Sequence, residues 1–406
     1  MPNKVKLIST LSGHEYQFER IEEFSDNGES LEVKVPGIES AKIRKGRYLW
    51  ERYIDFLPFS NIDESISLGE GNTSLMKAGR KLIDFTGLEN LYLKNETQNP
   101  TLSFKDRGSL ACIAMSKEMR ESVTATISTG NMGNSVSAYG AKAGINVIVF
   151  VPHFCPKEKI MAMGIHGAVV MKIKAPDYSE MKKHILGLAE KFNLRIVSGN
   201  GPVRAEGYKM TSFEMFEQMD GDVPDYIAVP TSACGHVRGL FKGYTELRQA
   251  GFSGRVPKMI VVQAKNNSPI VSAIKQGKKN IIPFSNFHTV AEAITSGNPM
   301  GGDEIIDKAY KYGWPAEDVA EDEIIEAQKR LAGSGYFVEP SSATCLYAVK
   351  KLKESGKIDA KASVVIILTG SGFKDPGVLK YHKGNVKKMN LNGVERALQK
   401  VLTFGV

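Results

Sequence analysis

One lysine of this chain, Lys105, lies in a segment that is typical of a reactive amine rather than of a surface charge. It follows an Asn99-Pro turn, a serine that could cap a helix (Ser103) and an aromatic residue that would bury its stem (Phe104). Partial burial lowers the pKa of a lysine, and a neutral amine can form a Schiff base with a carbonyl compound. Taken alone, the segment also fits a lysine at an ordinary helix start.

Three further stretches place polar residues and glycines directly after short β-branched runs: Ser128-Thr-Gly-Asn131, Pro230-Thr-Ser-Ala-Cys-Gly-His236 and Thr369-Gly-Ser-Gly372. The amide of Asn131 can donate to an oxyanion, and backbone N–H groups at a helix start suit a carboxylate. The hydroxyl of Thr369 can face the nitrogen of a pyridine ring without placing a charge beside it. Each stretch alone also fits a plain strand-to-helix turn.

The runs before these loops predict strands, and helical patterns follow them. The predicted strands are Thr124 to Ile127, Asn146 to Val151 (ended by Pro152), Tyr226 to Val229 and Ser363 to Leu368; the helices run from Ser135 to Gly144 and from the His236 loop to about Gln249. This alternation predicts parallel sheets with helices on both faces. In such sheets ligands bind at the carboxyl ends of the strands, where the three loops would lie.

The first sixty residues have a different pattern. Leu7 to Glu15 and Ser30 to Lys34 alternate like antiparallel strands, with an Asn27-Gly28 turn between them. A helical pattern follows from Tyr48 to Leu57 and ends at Pro58. Near the other end of the chain, a helix is predicted at about residues 393–402.

Composition limits the classes of function. The chain has 406 residues, enough for two or three domains, and its 53 Lys and Arg against 45 Asp and Glu give a net charge of +8 that is spread along the sequence. This pattern favours small anionic ligands over nucleic acid. The four cysteines form no Cys-x-x-Cys pair, and no apolar run reaches the length of a membrane span, so we expect a cytoplasmic protein with no membrane partner.

Together, seven motifs carry a resemblance to the threonine synthases, which are pyridoxal-phosphate enzymes with a fold like that of the tryptophan synthase β chain. The resemblance covers nearly the whole chain. The motifs are Leu68-Gly-Glu-Gly-Asn-Thr73, the segment from Asn99-Pro-Thr to Lys105-Asp-Arg-Gly108, Ser128-Thr-Gly-Asn131, Glu206-Gly-Tyr-Lys-Met-Thr211, Ser296-Gly-Asn-Pro299, Glu339-Pro-Ser-Ser342 and Leu368-Thr-Gly-Ser-Gly-Phe-Lys-Asp375.

The resemblance implies a role for each matched residue. Lys105 would join pyridoxal 5'-phosphate and move protons, Asn131 would bond the ring oxygen of the cofactor, and Thr369 its ring nitrogen. Arg204 would bind the phosphate of the substrate, for which a guanidinium is suited because it stays charged and can donate two parallel hydrogen bonds; a structural salt bridge is the alternative for this residue. The substrate carboxylate would be held by Ser128, Thr129 and Gly130. The cofactor phosphate would be held by Ser232, Ala233, Cys234, Gly235 and His236.

Three features depart from the family pattern. The phosphate loop of the family is Gly-Asn-x-Gly-Asn, of which only Gly235 is present here, and Ala233 and Cys234 are expected to restrict positive φ angles. Gly199 and Gly201 replace a serine and an asparagine of the substrate-phosphate site. Many relatives carry paired zinc ligands near the N-terminus; their places are taken here by Ser9 with Ser12 and by Phe24 with Asn27, so we expect no metal site.

The implied fold is α/β, with two doubly wound three-layer domains of pyridoxal-phosphate fold type II and a small N-terminal β subdomain. The implied boundaries are 1–62 for the subdomain, 63–108 with 201–406 for the large cofactor-binding domain, and 109–200 for the small domain. The family also implies a homodimer.

The leading hypothesis for the reaction is the conversion of O-phospho-L-homoserine and water to L-threonine and phosphate. A threonine or serine dehydratase, or a synthase that replaces the β-substituent of an activated serine, is the alternative with the same cofactor. A non-enzymatic binding or regulatory protein is the third hypothesis, supported only by the altered loop at residues 232–236.

Overall fold

A computed structural model describes residues 5–18, 23–175, 178–285, 288–382, 384, 386 and 388–404 of the chain. The chain through Asp375 forms one compact unit, and the residues from Pro376 onward form a second unit that contains the helix Val394–Phe404. This helix confirms the one predicted near the end of the chain. No helix in the described part of the chain is long and apolar enough to span a bilayer.

The described strands form three sheets. They are β1 (Lys6–Ser9), β2 (Glu15–Gln17), β3 (Leu31–Lys34), β4 (Leu75–Lys77), β5 (Asn90–Asn95), β6 (Val123–Ile127), β7 (Asn146–Pro152), β8 (Val169–Ile173), β9 (Tyr226–Pro230), β10 (Lys258–Ala264), β11 (Ala316–Val319) and β12 (Ser363–Leu368). The largest sheet has the order β11-β10-β9-β12-β5-β4, and all its neighbouring strands are parallel except β4 and β5. A second, parallel sheet has the order β6-β7-β8, and the N-terminal sheet is antiparallel with the order β2-β1-β3.

Helices join most of these strands. They are α1 (Leu49–Arg52), α2 (Arg80–Thr86), α3 (Lys105–Glu118), α4 (Asn131–Ala143), α5 (Lys157–Gly164), α6 (Tyr178–Lys191), α7 (Pro202–Gln218), α8 (Gly235–Gln249), α9 (Pro269–Lys275), α10 (Gly302–Tyr312), α11 (Glu321–Ala332), α12 (Pro340–Glu354) and α13 (Val394–Phe404).

The core explains why strands β9, β10 and β12 have apolar runs without alternation. Nearly all of their residues are buried, because helices cover both faces of a parallel sheet and each side chain then meets apolar neighbours. The predicted α/β architecture and the predicted strands are therefore confirmed. Since β9, β12 and β5 are neighbours in the sheet, the segments that follow them lie side by side.

Some local predictions were wrong in their bounds. The N-terminal segment forms three strands rather than two, and the helix expected from Tyr48 to Leu57 stops at Arg52 and continues as a 3-10 turn at Ile54–Phe56. Helix α4 begins at Asn131, four residues before the predicted start at Ser135. The hydroxyl of Ser128 accepts a hydrogen bond from Gly133 N at 3.0 Å, which satisfies a backbone donor of the earlier first turn.

The predicted domain boundaries at residues 62, 108 and 200 stay predictions. The second sheet and its helices α4, α5 and α6 fall within residues 109–200, and the six-stranded sheet falls outside that range.

Candidate active site

Lys105 is the first residue of α3, and the loop before it is bound to the loop after β12. Phe104 N donates to Thr369 O at 3.0 Å, and Ser371 N donates to Leu102 O at 3.0 Å. Leu102 has φ of 62°, a conformation that is unfavourable for a leucine and is maintained here by these backbone bonds. The backbone of Lys105 is therefore held next to Thr369, although the two residues are far apart in the sequence.

The predicted helix cap before Lys105 was wrong. Phe104 occupies the cap position without a side-chain bond, and the Ser103 hydroxyl has no partner among the described residues. Asp106 accepts from Thr101 N and from the Ser135 hydroxyl, both at 2.6 Å. This carboxylate therefore joins the start of α3 to α4 of the neighbouring sheet.

The amine of Lys105 is half-buried and forms no ion pair in the described chain. Its Nζ lies 4.2 Å from the centre of the Phe104 ring and 5.8 Å from that of Tyr208. Burial, and next the positive charge of Arg204, lower the pKa of Lys105 to about 7. A large fraction of the amine is therefore neutral near neutral pH, as a nucleophile requires.

Arg204 lies in α7 and is completely buried. Helices α7 and α3 approach each other closely at Gly207: a Cβ on this residue would lie 2.2 Å from Arg107 O. Nη1 of Arg204 reaches the Ser109 hydroxyl at 3.4 Å, whereas its Nε and Nη2 have no hydrogen-bond partner in the described part of the molecule. Nor does any described carboxylate pair with it. A buried cation in this state is suited to an anionic ligand.

The loop after β6 carries the residues predicted to bind the substrate carboxylate. Ser128, Thr129 and Gly130 are half-buried, and α4 starts immediately after them. Asn131, the first residue of α4, donates from Nδ2 to Glu339 Oε2 at 2.8 Å. The start of α4 thus contacts the residue that precedes α12.

Thr369 follows β12 and is buried with two polar partners. Its hydroxyl donates to Glu339 Oε1 at 3.0 Å and lies 2.7 Å from the Ser342 hydroxyl. Sequence reasoning gave Glu339 no role, although it begins the motif Glu339-Pro-Ser-Ser342. The structure brings this carboxylate into contact with both Asn131 and Thr369.

Lys374 is another residue for which the sequence assigned no role. Its Nζ donates to Thr101 O at 2.5 Å, and burial lowers its pKa. The side chain connects the loop after β12 to the segment before Lys105. Its place in the motif that begins at Leu368 was the only sequence signal for it.

The loop predicted to bind the cofactor phosphate follows β9 and leads into α8. Ser232 is half-buried, Ala233 is exposed, and Cys234, Gly235 and His236 are buried. Cys234 has φ of 72°, so the loop adopts the left-handed conformation at this residue although a cysteine was expected to restrict it.

Two of the three departures from the family pattern, the glycine at 199 and the altered loop at residues 232–236, pack against each other. A Cβ on Gly199 would lie 3.2 Å from Ala233 Cβ, and a Cβ on Gly235 would lie 2.2 Å from Gly199 O. The glycine at 199 therefore leaves space for the alanine at 233, and the glycine at 235 permits the close backbone contact.

His236, the last residue of this loop, packs against the residue before Lys105. Its ring stacks on Phe104 with centroids 3.8 Å apart and an interplanar angle of 15°. Burial, and then the charges of Lys105 and Arg107, hold the pKa of His236 well below its ordinary value, so the imidazole is neutral. Both ring nitrogens are buried without a hydrogen-bond partner in the described chain.

The polar groups of this site fit the predicted cofactor. Lys105 supplies an amine with a pKa of about 7, and Thr369 and Asn131 supply a hydroxyl and an amide for the ring. His236 and Arg204 have buried nitrogens without hydrogen-bond partners in the described chain, which suits a phosphorylated pyridine aldehyde and an anionic substrate.

The N-terminal residues at which the sequence predicts no metal site make other contacts. The hydroxyls of Ser9 and Ser12 both donate to the carboxylate of Glu29, and Phe24 pairs with Ser30 as an isolated bridge. Within the described ranges, no group of three or more His, Cys, Asp or Glu side chains is arranged to hold a metal ion.

Comparisons with known proteins identify the family. A family model described as pyridoxal-phosphate dependent enzyme matches residues 66–370. The threonine synthase of Methanocaldococcus jannaschii is 37% identical over 346 residues, 84% of each chain, and that of Methanosarcina acetivorans is 36% identical over 327 residues, 80% of each chain.

A solved structure agrees on the fold. The processed form of threonine deaminase isoform 2 from Solanum lycopersicum superposes with a TM-score of 0.62 at 20% identity, over 80% of this chain and 82% of that chain. At this identity the likeness concerns the fold alone. With the sequence relatives and the family model, it means that the chain belongs to the threonine synthase family of pyridoxal-phosphate dependent enzymes.

Proposed function

We propose that the chain is a lyase that converts O-phospho-L-homoserine and water to L-threonine and phosphate. The observation that carries the proposal is the Arg204 guanidinium, which is fully buried, lacks a carboxylate partner in the described chain and raises the positive potential at Lys105. A substrate that brings a phosphate dianion compensates this charge. Threonine and serine, the substrates of a dehydratase, carry no such group.

Different residues of the site would bind different parts of the cofactor and of the substrate. Lys105 would hold the cofactor, with Asn131 near its ring oxygen, Thr369 near its ring nitrogen, and the backbone N–H groups and the hydroxyl of the loop at residues 232–236 around its phosphate. The neutral His236 would pack beside this group as a hydrogen-bonding partner rather than as a counter-ion. Ser128, Thr129 and Gly130 would bind the substrate carboxylate at the start of α4.

The same residues would control the proton transfers. When bound, pyridoxal 5'-phosphate supplies an electron sink for the carbon that loses its proton. Lys105, with a pKa of about 7, is suited both to take a proton from the substrate and to return one. Arg204 would keep the phosphate near Lys105 after its bond to the substrate breaks, so that it can assist the addition of water.

The proposal also includes the domain organisation, the oligomeric state and the location of the protein. We propose a small domain at residues 109–200 that closes on a large domain made of 63–108 and 201–406, with the N-terminal subdomain at 1–62. Closure would exclude water that destroys intermediates. A homodimer and a cytoplasmic location belong to the same proposal.

Product analysis of the purified holoenzyme tests the reaction. O-Phospho-L-homoserine is supplied in one reaction, and threonine or serine in parallel reactions; threonine, inorganic phosphate and ketoacids are measured in each. We expect threonine and phosphate in equal amounts from the first. Ketoacid from threonine or serine, without threonine formation from the phosphorylated substrate, would instead support the dehydratase. Absence of bound cofactor and of every reaction would support the non-enzymatic alternative.

A further inference from the structure

Tyr208 of α7 is a buried tyrosine that the proposed reaction does not use. Its side chain is fully buried, and its hydroxyl has no hydrogen-bond partner within the described ranges. Burial raises the pKa of this phenol, so the hydroxyl keeps its proton near neutral pH. A buried donor without an acceptor is costly, and such a group in a folded protein requires an explanation.

Tyr208 lies next to the two basic residues of the site. Residues four apart lie on the same face of a helix, so Tyr208 is a neighbour of Arg204 in α7. Both side chains fill the space that Gly108 of α3 leaves open: a Cβ there would lie 2.7 Å from Arg204 Cγ, 2.7 Å from Tyr208 Cε1 and 3.0 Å from Tyr208 Cζ, the carbon that carries the hydroxyl. The Nζ of Lys105, at the start of the same helix α3, lies 5.8 Å from the centre of the Tyr208 ring. The hydroxyl end of this side chain is therefore packed against the helix that begins with the reactive amine.

Packing around the ring fixes the direction of the side chain without using its hydroxyl. The ring centroid lies 5.0 Å from that of Phe104 and 5.3 Å from that of His236. On the other side, a Cβ on Gly239 of α8 would lie 2.7 Å from Tyr208 Cβ, so the backbone of α8 packs directly against the base of the side chain. A phenol held in this way loses little further conformational entropy when a ligand binds to it.

The charge beside the hydroxyl determines which ligand it suits. After burial, the positive charge of Arg204 has the largest influence on the pKa of Tyr208, which it lowers. A guanidinium can only donate hydrogen bonds, so it cannot accept the proton of the phenol. An anionic acceptor satisfies both groups, because it compensates the guanidinium and accepts from the hydroxyl. A phosphate group, with three terminal oxygens, has enough acceptor sites for both donors.

We infer that Tyr208 is a second binding residue for the phosphate of the substrate: its hydroxyl donates to a phosphate oxygen beside the guanidinium of Arg204. The inference rests on the proposed function, in which the substrate carries that phosphate. Two donors on one helix face fix the position of the phosphate, and with it the bond that breaks in the reaction. Tyr208 also contributes to specificity, because a neutral substituent accepts a weaker hydrogen bond than a phosphate does and leaves the guanidinium uncompensated.

Phosphate titration of the holoenzyme tests this inference without turnover. The wild type, Tyr208→Phe and Tyr244→Phe are loaded with pyridoxal 5'-phosphate and freed of excess cofactor, and the dissociation constant of inorganic phosphate is measured by calorimetry. Tyr208→Phe removes only the hydroxyl and keeps the ring. We expect its affinity for phosphate to fall at least about 10-fold, the effect of losing one hydrogen bond to a charged group, and kcat/KM for O-phospho-L-homoserine to fall by a similar factor.

Tyr244→Phe is the matched control. Tyr244 of α8 is also fully buried with no hydrogen-bond partner for its hydroxyl in the described chain, but the charges that act on it are those of Tyr53 and Asp222, outside the site. Its phosphate affinity and kcat/KM should equal those of the wild type. Both variants remove a buried hydroxyl without a partner, so both apoproteins should unfold at the wild-type temperature or slightly above it. Wild-type affinity for phosphate or wild-type kcat/KM in Tyr208→Phe would overturn the inference.

The same measurements separate this inference from the proposed function. If the wild-type holoenzyme binds no phosphate and does not convert O-phospho-L-homoserine, the proposed function fails and the inference fails with it. If the wild type does both and Arg204→Leu weakens both, but Tyr208→Phe behaves as the wild type, only the inference about Tyr208 fails.

Discussion

Lys105 and Arg107 lie two residues apart at the start of the same helix, yet their surroundings are opposite. Arg107 is buried and is bonded to two carboxylates: its Nε and Nη2 donate to Glu96 at 2.7 and 2.8 Å, and its Nη1 and Nη2 donate to Glu214 at 3.0 and 2.9 Å. Lys105 has no carboxylate partner in the described chain, and the charge that acts on it most strongly is that of another cation, Arg204.

The paired cluster stabilises the fold. Lys94 of β5 also donates to Glu214, and Thr73 donates to Glu96, so the cluster connects β5, α3, α7 and the segment before β4. Although burial alone would raise it, the charges of Arg107 and Lys94 hold the pKa of Glu214 well below its ordinary value. These charges are neutralised within the protein and leave nothing for a ligand.

The basic groups of Lys105 and Arg204 have the opposite property. Neither has a carboxylate partner in the described chain, which costs stability and makes both groups available to a ligand. The start of α3 therefore shows two uses of basic residues. Arg107 is ion-paired and stabilises the fold, whereas Lys105 has no carboxylate partner in the described chain and is available to bind and react with a ligand. Four experiments test this separation.

Removal of the reactive amine should have the largest effect. Lys105→Ala is expected to eliminate the absorbance of covalently bound cofactor and to lower kcat at least about a thousandfold, because it removes the amine that joins the cofactor and transfers protons. The apoprotein should unfold at the same temperature as the wild type or slightly higher. Spectra, turnover and thermal unfolding of the two apoproteins provide the check, and full turnover in the variant would refute the assignment of Lys105.

Arg107→Leu should affect stability rather than chemistry. It leaves Glu96 and Glu214 buried with too little positive charge, and loss of one partner of a buried ion pair costs about 3–5 kcal/mol in free energy of unfolding. Urea unfolding measures this loss. The double variant Arg107→Leu with Glu96→Gln should recover part of it, because one uncompensated charge is removed; a single variant that loses less than about 1 kcal/mol would contradict the structural role.

Arg204→Leu should give the reverse result. Loss of hydrogen bonds to a charged phosphate, worth about 1.5–3 kcal/mol, lowers kcat/KM for O-phospho-L-homoserine about 10- to 150-fold. The free energy of unfolding should be unchanged or higher, since an uncompensated cation is removed. Arg52→Leu is the matched control: this arginine is bonded to Glu217 through Nε and Nη2, and its loss should leave kcat/KM unchanged. An Arg204 variant with normal kcat/KM would remove the main support for a phosphorylated substrate.

The smallest effect concerns the pH dependence of cofactor capture. The folded-state pKa of Lys105, about 7, is below its ordinary value of 10.5. The reactive neutral amine is therefore present above pH 7, and it is lost as the pH falls through this value. Rapid mixing of apoprotein with pyridoxal 5'-phosphate should give a rate that rises with pH, has its midpoint near 7 and is then constant.

The same pKa predicts a change in stability with a definite sign. Between pH 7 and 10.5 the unfolded chain binds a proton at Lys105 that the folded chain has lost, so this residue makes the stability of the apoprotein rise with pH in that window. Removal of the neighbouring cation in Arg204→Leu should move the midpoint of cofactor capture to higher pH. A midpoint that is unchanged in this variant would mean that Arg204 does not act on the amine.

Much of the fold was predictable because its signals are local. Apolar runs without alternation identified the buried parallel strands β9 and β12, and glycines and hydroxyl residues after them identified the loops at their carboxyl ends. The start of α4 was missed because the capping hydroxyl of Ser128 lies three residues before the helix. The left-handed Cys234 was missed because a positive φ is rare for a cysteine and no local signal marks it.

The chemistry of the candidate site was predictable only in part. The sequence identified Lys105, Asn131, Thr369 and Arg204 as candidates through their motifs, but it offered no means of deciding whether Arg204 is paired. It also gave no role to Glu339, because the significance of that carboxylate depends on hydrogen bonds to Asn131 and Thr369, which are distant in the chain.

By itself, the sequence determined which residue types are available and the order of the α/β elements that carry them, because periodicity and turn residues act over short distances. The tertiary structure decided which charges are compensated. Lys105 and Arg107 share one helix start, but desolvation and neighbours from β5, α7 and the loop after β12 lower the pKa of the first amine to about 7 and keep the second cation paired. Electrostatic effects of this kind depend on distances in space, and those exist only after folding.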